Sequence, residues 1–267
     1  MEFKKITIIG AGNLGFSIAK GLIASGLINR ENLTLTEKIQ SRKELLVKDG
    51  FNVISNNVDA VKASELIMLV VKPYQIDDLL TEIKGCFNPE EKVFVSCVTG
   101  VESGHIYAKL GCNPALFRVM PNTGIAIQES MSCISSFNEN PEQKEAIRTI
   151  FSQLGQVLFI PEEQMPAATA LAGCGIAYAL RFIRAAIQGG VEIGFSAEDA
   201  KVMAAQITKG AAQLILMNNS HPEAEIDKVT TPKGITITGL NEMEHSGFSS
   251  SIIKGILASY NKIEQKN

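Results

Sequence analysis

The chain has 267 residues, enough for one large domain or two of ordinary size with a substantial core. Hydrophobic residues make up 45% and charged residues 20%, and the formal net charge of −3 gives no electrostatic basis for binding nucleic acid or an anionic membrane. Aromatic residues are 6% with no Trp, which also argues against base-stacking platforms.

Met1 to Lys5 leads straight into a strand-like run with no signal-peptide pattern, and no uninterrupted apolar run approaches the roughly 18 residues of a membrane span. The cysteines (Cys86, Cys97, Cys112, Cys133 and Cys174) are dispersed, with no CxxC pair and no His at ligand spacing. They read as reduced thiols of a cytosolic protein. The expectation is a cytoplasmic protein with no metal, no nucleic-acid partner and no membrane partner.

In chain order, Lys5-Ile6-Thr7-Ile8-Ile9 is β-branched and stops at Gly10, as a buried strand does. Leu14 to Ala24 has helical apolar spacing. Further strands are expected at Leu33–Thr36, Leu66–Val71, Val93–Cys97, Ala115–Val119, Ser132–Ser135 and Val157–Ile160. This alternation predicts a doubly wound, mostly parallel α/β sheet of Rossmann type over residues 1–161. After Pro161 the pattern turns helical, with long stretches at Met165–Phe195 and Ala197–Met217 and shorter ones at Gly234–His245 and Phe248–Lys262. Residues 162–267 therefore read as an all-helical second domain, with a frayed tail from Lys262. Its first helix is apolar on most faces, which predicts burial inside the domain or against a second subunit.

Gly10-Ala11-Gly12-Asn13-Leu14-Gly15 lies between the first strand and the first helix. That context turns a weak motif into a dinucleotide site. Gly10 makes the tight turn, Gly12 lets the backbone approach a pyrophosphate, and Gly15 lets helix and strand pack closely. The pyrophosphate would sit on free N–H groups at the positive end of the helix. Glu37 lies 22 residues past Gly15, at the end of the second strand, where an acid accepts hydrogen bonds from the adenosine ribose and favours NADH. Lys38 and Arg42 are close enough in sequence to accommodate the phosphate of NADPH, so both cofactors stay open. Val70-Val71-Lys72-Pro73, Val98-Thr99-Gly100 and Arg118 to Thr123 end successive strands on the same carboxyl edge, where ligands bind in this architecture.

These motifs resemble the pyrroline-5-carboxylate reductase family over nearly the whole chain. The N-terminal marks are Ile9 to Gly15, Val71-Lys72-Pro73 and Arg118-Val119-Met120-Pro121-Asn122-Thr123. The most specific mark is C-terminal: His221-Pro222, then Asp227 to Ile237 with Gly239-Leu240, where the family carries a Ser/Thr-Pro-Gly-Gly-x-Thr loop. Gly173 to Tyr178 resembles the family's Gly-Ser-Gly-Pro-Ala-Tyr. Cys174, Ile176 and Lys233 depart from it, replacing a serine, a proline and a loop glycine. The resemblance implies NAD(P)H-dependent reduction of a cyclic imino acid to L-proline by a homodimer or a multiple of dimers, with the helical domain serving dimerisation. It implies cofactor contacts at Gly12, Asn13, Leu14, Thr36, Asn57, Val71, Lys72 and Val98, and substrate contacts at Thr231, Gly234, Ile235 and Thr236 with Glu162 nearby.

The residues themselves support the same loop. Thr230-Thr231-Pro232 precedes a helical run from about Gly234, so a Thr cap followed by free N–H groups would form a carboxylate site, with Lys233 adding positive charge. A protonated imine is already electrophilic and its reduction leaves no alkoxide to quench, so positioning and a dry pocket matter more than a strong acid. Thr236 is the expected catalytic orienter. Three alternatives stay open: a reductase of another small cyclic imine, a β-hydroxyacid dehydrogenase, and a non-catalytic dinucleotide sensor. The second would use a Lys on the first long helix of the second domain, yet Gln164 to Asp199 contains none, and Arg181 and Arg184 do not readily release a proton. The third would have lost the Thr231–Thr236 loop. His105, His221 and His245 read as surface or structural residues, with His221-Pro222 making a turn between helices.

Overall fold

The computed structural model describes residues 3–265. Its strands are β1 (Ile6–Ile9), β2 (Leu33–Thr36), β3 (Asn52–Ile54), β4 (Leu66–Leu69), β5 (Val93–Ser96), β6 (Ala115–Met120), β7 (Ser130–Phe137) and β8 (Gly155–Phe159). They form one eight-stranded sheet in the order β3-β2-β1-β4-β5-β6-β7-β8. The strands from β3 to β6 are all parallel. β7 then runs antiparallel to β6 and β8 parallel to β7. The order reverses at β1, between β2 and β4, which places the switch point at the glycine-rich turn.

Helices α1 (Asn13–Ala24), α2 (Gln40–Lys48), α3 (Asn57–Ala63), α4 (Ile76–Ile83), α5 (Ser103–Leu110) and α6 (Pro141–Ser152) connect the strands. The two-residue period of the strands divides the core between the sheet's faces. Ile8, Met68, Val95 and Phe117 join Ile18, Leu22, Ile147 and Phe151 in one apolar cluster. Ile9, Ile67, Leu69, Phe94 and Leu116 join Leu79, Leu80, Ile83 and Ile106 in the other. Both faces are covered, so the central strands read as continuous apolar runs instead of alternating ones.

The remaining helices are α7 (Met165–Ala168), α8 (Gly175–Glu192), α9 (Ala197–Asn218), α10 (Pro222–Lys228), α11 (Ile235–His245) and α12 (Phe248–Glu264). A π-helical turn, Thr169–Gly173, lies between α7 and α8. The chain divides into two compact units, one running through Cys174 and resuming at Tyr260, the other Gly175–Ser259. The break expected from composition, at 161/162, thus precedes the compact-unit break. Residues 162–173 stay with the sheet because they are fastened to it: Asn122 Nδ2 donates to the Ala172 carbonyl at 3.1 Å, and Thr169 and Ala170 are buried.

In the second unit α8 packs along α9, where Ala200 and Ala204 are buried. Ser196 caps α9 by accepting from the Asp199 N–H at 3.1 Å. No residue of α8 is fully buried, so of the two expectations for its apolar surface, burial inside the domain does not hold within the chain. Leu180, Val202, Ile207 and Leu216 are exposed large apolar residues of α8 and α9. The helical stretch Glu162–Glu192 is long and apolar enough to cross a membrane by length and composition, although polar residues interrupt it and no unbroken apolar run reaches that length. Helices that bury an apolar face against a second subunit share this composition. The expected frayed tail is helical as far as Glu264, and residues 266–267 lie outside the described residues.

Candidate active site

β1 ends at Ile9 and the chain turns at Gly10, whose φ is 101°. A side-chain carbon there would lie 2.5 Å from the Val70 carbonyl oxygen, so only glycine fits. α1 starts at Asn13 with Gly12 as N-cap and no side-chain cap, which leaves the first N–H groups of the helix unpaired by side chains. A side-chain carbon at Gly15 would collide with the Gly10 carbonyl oxygen, the close helix–strand approach that the motif requires. The turn is strapped to its neighbours: the Ala11 N–H donates to Thr36 O at 3.2 Å, and Arg42 Nη2 donates to Ala11 O at 3.0 Å.

This turn opens onto a cleft of about 900 Å³ along the carboxyl edge of the sheet. Gly10, Gly12, Asn13, Leu14, Thr36, Glu37, Asn57, Val71, Lys72 and Pro73 all line it. Gly15 and Val98 do not: Gly15 is buried in the first turn of α1, and Val98 packs in the apolar cluster with Ile9 and Leu69. Sequence reading missed Ile39, Tyr74 and Glu82, which also line the cleft, as does Thr123 at the end of the Arg118–Thr123 edge motif. Tyr74 follows Pro73 and is 81% exposed, a signal available in the sequence as an aromatic beside an edge motif. Glu82 lies on α4, 25 residues from Asn57, whose Nδ2 donates to its Oε2 at 2.9 Å, and nothing local announces that pair. Cys97 lines the cleft too, but burial pushes its thiol up to about 12, so it stays protonated and unreactive.

The cleft fits a dinucleotide. Its volume lies at the upper end of the roughly 300–1,000 Å³ typical of ligand pockets. A side-chain carbon at Gly12 would meet nothing within 4 Å, so the backbone there is open to an approaching pyrophosphate. No group of three or more His, Cys, Asp or Glu side chains that could hold a metal occurs among the described residues.

Glu162 is bound into the first unit. Its Oε1 accepts from the Ser103 N–H at 2.8 Å and from Arg118 Nη1 at 2.6 Å, and its Oε2 accepts from Ser103 Oγ at 2.7 Å. Burial pushes the carboxyl up, but the two Ser103 hydrogen bonds and the Arg118 guanidinium more than offset this and hold it below its ordinary value. The carboxylate thus neutralises a buried arginine and satisfies the first N–H of α5.

Thr231, Gly234, Ile235 and Thr236 lie in the second unit. The expected Thr caps do not form: the N-cap of α11 is Gly234, without a side-chain hydrogen bond. Thr230 Oγ1 instead donates back to Ile226 O at 2.8 Å, closing α10, and the Gly234 N–H donates to Thr231 O at 2.9 Å. The first turn of α11, beginning Ile235-Thr236-Ile237, therefore presents N–H groups with no intrahelical partner. Ile235 is 94% exposed and Thr236 is also exposed. Lys233 adopts a left-handed φ of 59°. His221 is the N-cap of α10, its Nδ1 accepting from the Glu223 N–H at 3.2 Å.

Sheet order, switch point and cleft define a Rossmann-type dinucleotide fold joined to a helical unit. Residues 162–266 match the family model described as pyrroline-5-carboxylate reductase dimerisation, and residues 5–100 match the one described as NADP oxidoreductase, coenzyme F420-dependent. The chain is 45% identical over 96% of its length to pyrroline-5-carboxylate reductase 1 of Dictyostelium discoideum, and it spans about half (49%) of that relative. It is 43% identical over 97% of its length to reductase 2 of the same organism, covering 92% of it. A solved pyrroline carboxylate reductase of Plasmodium falciparum, with NADP bound, superposes with a TM-score of 0.90 at 28% identity, covering 99% of this chain and 98% of that one. The chain belongs to the pyrroline-5-carboxylate reductase family.

Proposed function

We propose that this chain reduces pyrroline-5-carboxylate to L-proline with NADH or NADPH, in proline synthesis. The observation that carries this reading is the dinucleotide cleft in a chain that keeps the Thr231–Thr236 loop, 43% identical to a full-length relative named for this reaction. The bound dihydronicotinamide supplies the hydride. The open N–H groups of α11 hold the substrate carboxylate, Lys233 adds positive charge beside them, and the Thr236 hydroxyl orients the imine nitrogen. Glycine turn residues Gly10, Gly12, Asn13 and Leu14 hold the pyrophosphate, while Thr36, Glu37 and Asn57 serve the adenosine end and Val71, Lys72 and Pro73 the edge beyond it. Gly15 and Val98 support this surface from beneath. Glu162 acts on the site through Ser103 and Arg118.

The chain works as a homodimer or a multiple of dimers, a reading supported by the dimerisation match and by the exposed apolar residues of α8 and α9. Residues 1–161 then form the dinucleotide domain and 162–267 the dimerisation domain. Five unpaired cysteines are consistent with work in the reducing cytoplasm. The test is NAD(P)H oxidation with pyrroline-5-carboxylate and with its six-membered analogue. Turnover of the five-membered imine is expected. Cofactor binding without turnover of either imine would leave the sensor reading in its place.

A further inference from the structure

The adenosine end of the cleft, after β2, carries two cations, and both already face carboxylates. Arg42 Nε lies 3.7 Å from Glu37 Oε2, and its Nη2 is anchored on Ala11 O at 3.0 Å. Lys38 Nζ lies 3.3 Å from Glu82 Oε2, the same oxygen that accepts from Asn57. Glu37 is itself held in place: its Oε1 accepts from the Ile39 N–H at 2.9 Å, and its side chain is only 11% exposed. A carboxylate offers about four lone-pair directions. Ile39 occupies one, and Arg42 faces Oε2 at 3.7 Å as an ion pair without a hydrogen bond, which leaves directions for the vicinal hydroxyls of an unmodified ribose.

We propose that the Glu37–Arg42 pair is a selector for the unphosphorylated ribose, making the chain prefer NADH, and that Arg42 is a masked phosphate receptor that Glu37 keeps neutralised. The inference rests on the cleft's holding a dinucleotide, not on the identity of the imine. A 2′-phosphate would bring roughly −1.5 to −2 of charge against the Glu37 side chain. Neither of the two cations beside it is unpaired, because Lys38 and Arg42 would each have to leave a carboxylate first. Like-charge proximity at this distance is unfavourable, and the guanidinium cannot serve carboxylate and phosphate equally well. Neutralising Glu37 reverses the balance. Arg42 remains fastened by Ala11 O at the rim of the cleft, and its fork is free for bidentate contact with phosphate.

The test is equilibrium titration of the whole protein with NADH and NADPH in the absence of imine, read by nicotinamide fluorescence. The wild type should bind NADH at least about tenfold more tightly than NADPH. Glu37→Gln should shrink or reverse that ratio at least about tenfold, chiefly by strengthening NADPH. Glu37→Gln with Arg42→Gln should lose the NADPH gain. A wild-type preference for NADPH, or a ratio unmoved by Glu37→Gln, overturns the proposal, as does an NADPH gain that survives removal of Arg42. Binding of neither cofactor would overturn the cleft reading as well. Failure of imine turnover with the binding ratios as expected would touch only the proposed reaction.

Discussion

Arg118 on β6 and Glu162 at the entry to the segment 162–173 form a 2.6 Å ion pair, with side chains 8% and 22% exposed. They are 44 residues apart in sequence and are joined by Ser103 at the start of α5. Three segments therefore meet at one carboxylate.

Replacing that carboxylate has a signed pH consequence. The folded-state pKa of Glu162 is lowered, so its contribution is present above the ordinary carboxylate range and is lost as pH falls through the lower, folded value. Glu162→Gln should cost about 1.5–3 kcal/mol at neutral pH, the range for hydrogen bonds to charged groups. In thermal melts the gap between wild type and variant should narrow below about pH 4. A gap that is constant from pH 7 to pH 3 would contradict the assignment.

Lys233 stands where the resembled loop has glycine, and its left-handed φ of 59° is costly for a residue with a Cβ. That cost is about 1–2 kcal/mol, against roughly 0.5–1 kcal/mol for the greater freedom of glycine in the unfolded chain. Lys233→Gly should accordingly raise the Tm slightly while raising the imino acid KM severalfold and leaving the NADH Kd unchanged. A lower Tm with unchanged KM would remove both halves of the argument.

Thr236 sits in the first turn of α11, exposed, with no hydrogen bond that its hydroxyl would lose on truncation among those of the described residues. Thr236→Ala should therefore melt like the wild type, bind dinucleotide normally, and lose kcat by about tenfold or more if the hydroxyl orients the imine. Unchanged kcat disposes of that role.

Two glycines of the turn should fail in different ways. At Gly15 an added methyl collides with the Gly10 carbonyl, so Gly15→Ala should destabilise the fold by about 1–3 kcal/mol. At Gly12 a methyl meets nothing within 4 Å of the chain, so Gly12→Ala should keep its Tm and lose dinucleotide affinity. Equal loss of Tm in both would mean that the Gly12 face is not the ligand's approach.

Much of the first unit was legible because its strands are buried on both faces and so stand out as short β-branched runs. β3 was not: Asn52-Val53-Ile54 is an edge strand paired only to β2, with Val53 its one buried residue, too short to show a period. The antiparallel turn of β7 was legible in principle, since residues 121–129 are too few for a crossover helix. The cleft was largely readable from motifs that end strands. Its charge pairing was not, because Lys38–Glu82 and Asn57–Glu82 join residues brought together only by the sheet. At the C-terminal loop, Thr chemistry suggested a cap, but Thr230 closes the preceding helix and Gly234 opens the next.

The reversal of β7 also makes the two walls of the cleft unequal in exposure. On the Thr123 side the link from β6 returns at once into the sheet, pinned by Asn122, whose N–H donates to Ser130 Oγ at 3.1 Å and whose Oδ1 accepts from Gly124 at 2.9 Å. On the Tyr74 side a three-residue turn, Pro73–Gln75, carries an almost fully exposed ring. Local opening follows the density of buried contacts. A ligand entering this cleft thus meets a more enclosed jaw and a more exposed one, and the Tyr74 amide should exchange with solvent well before those of Gly124 and Ile125.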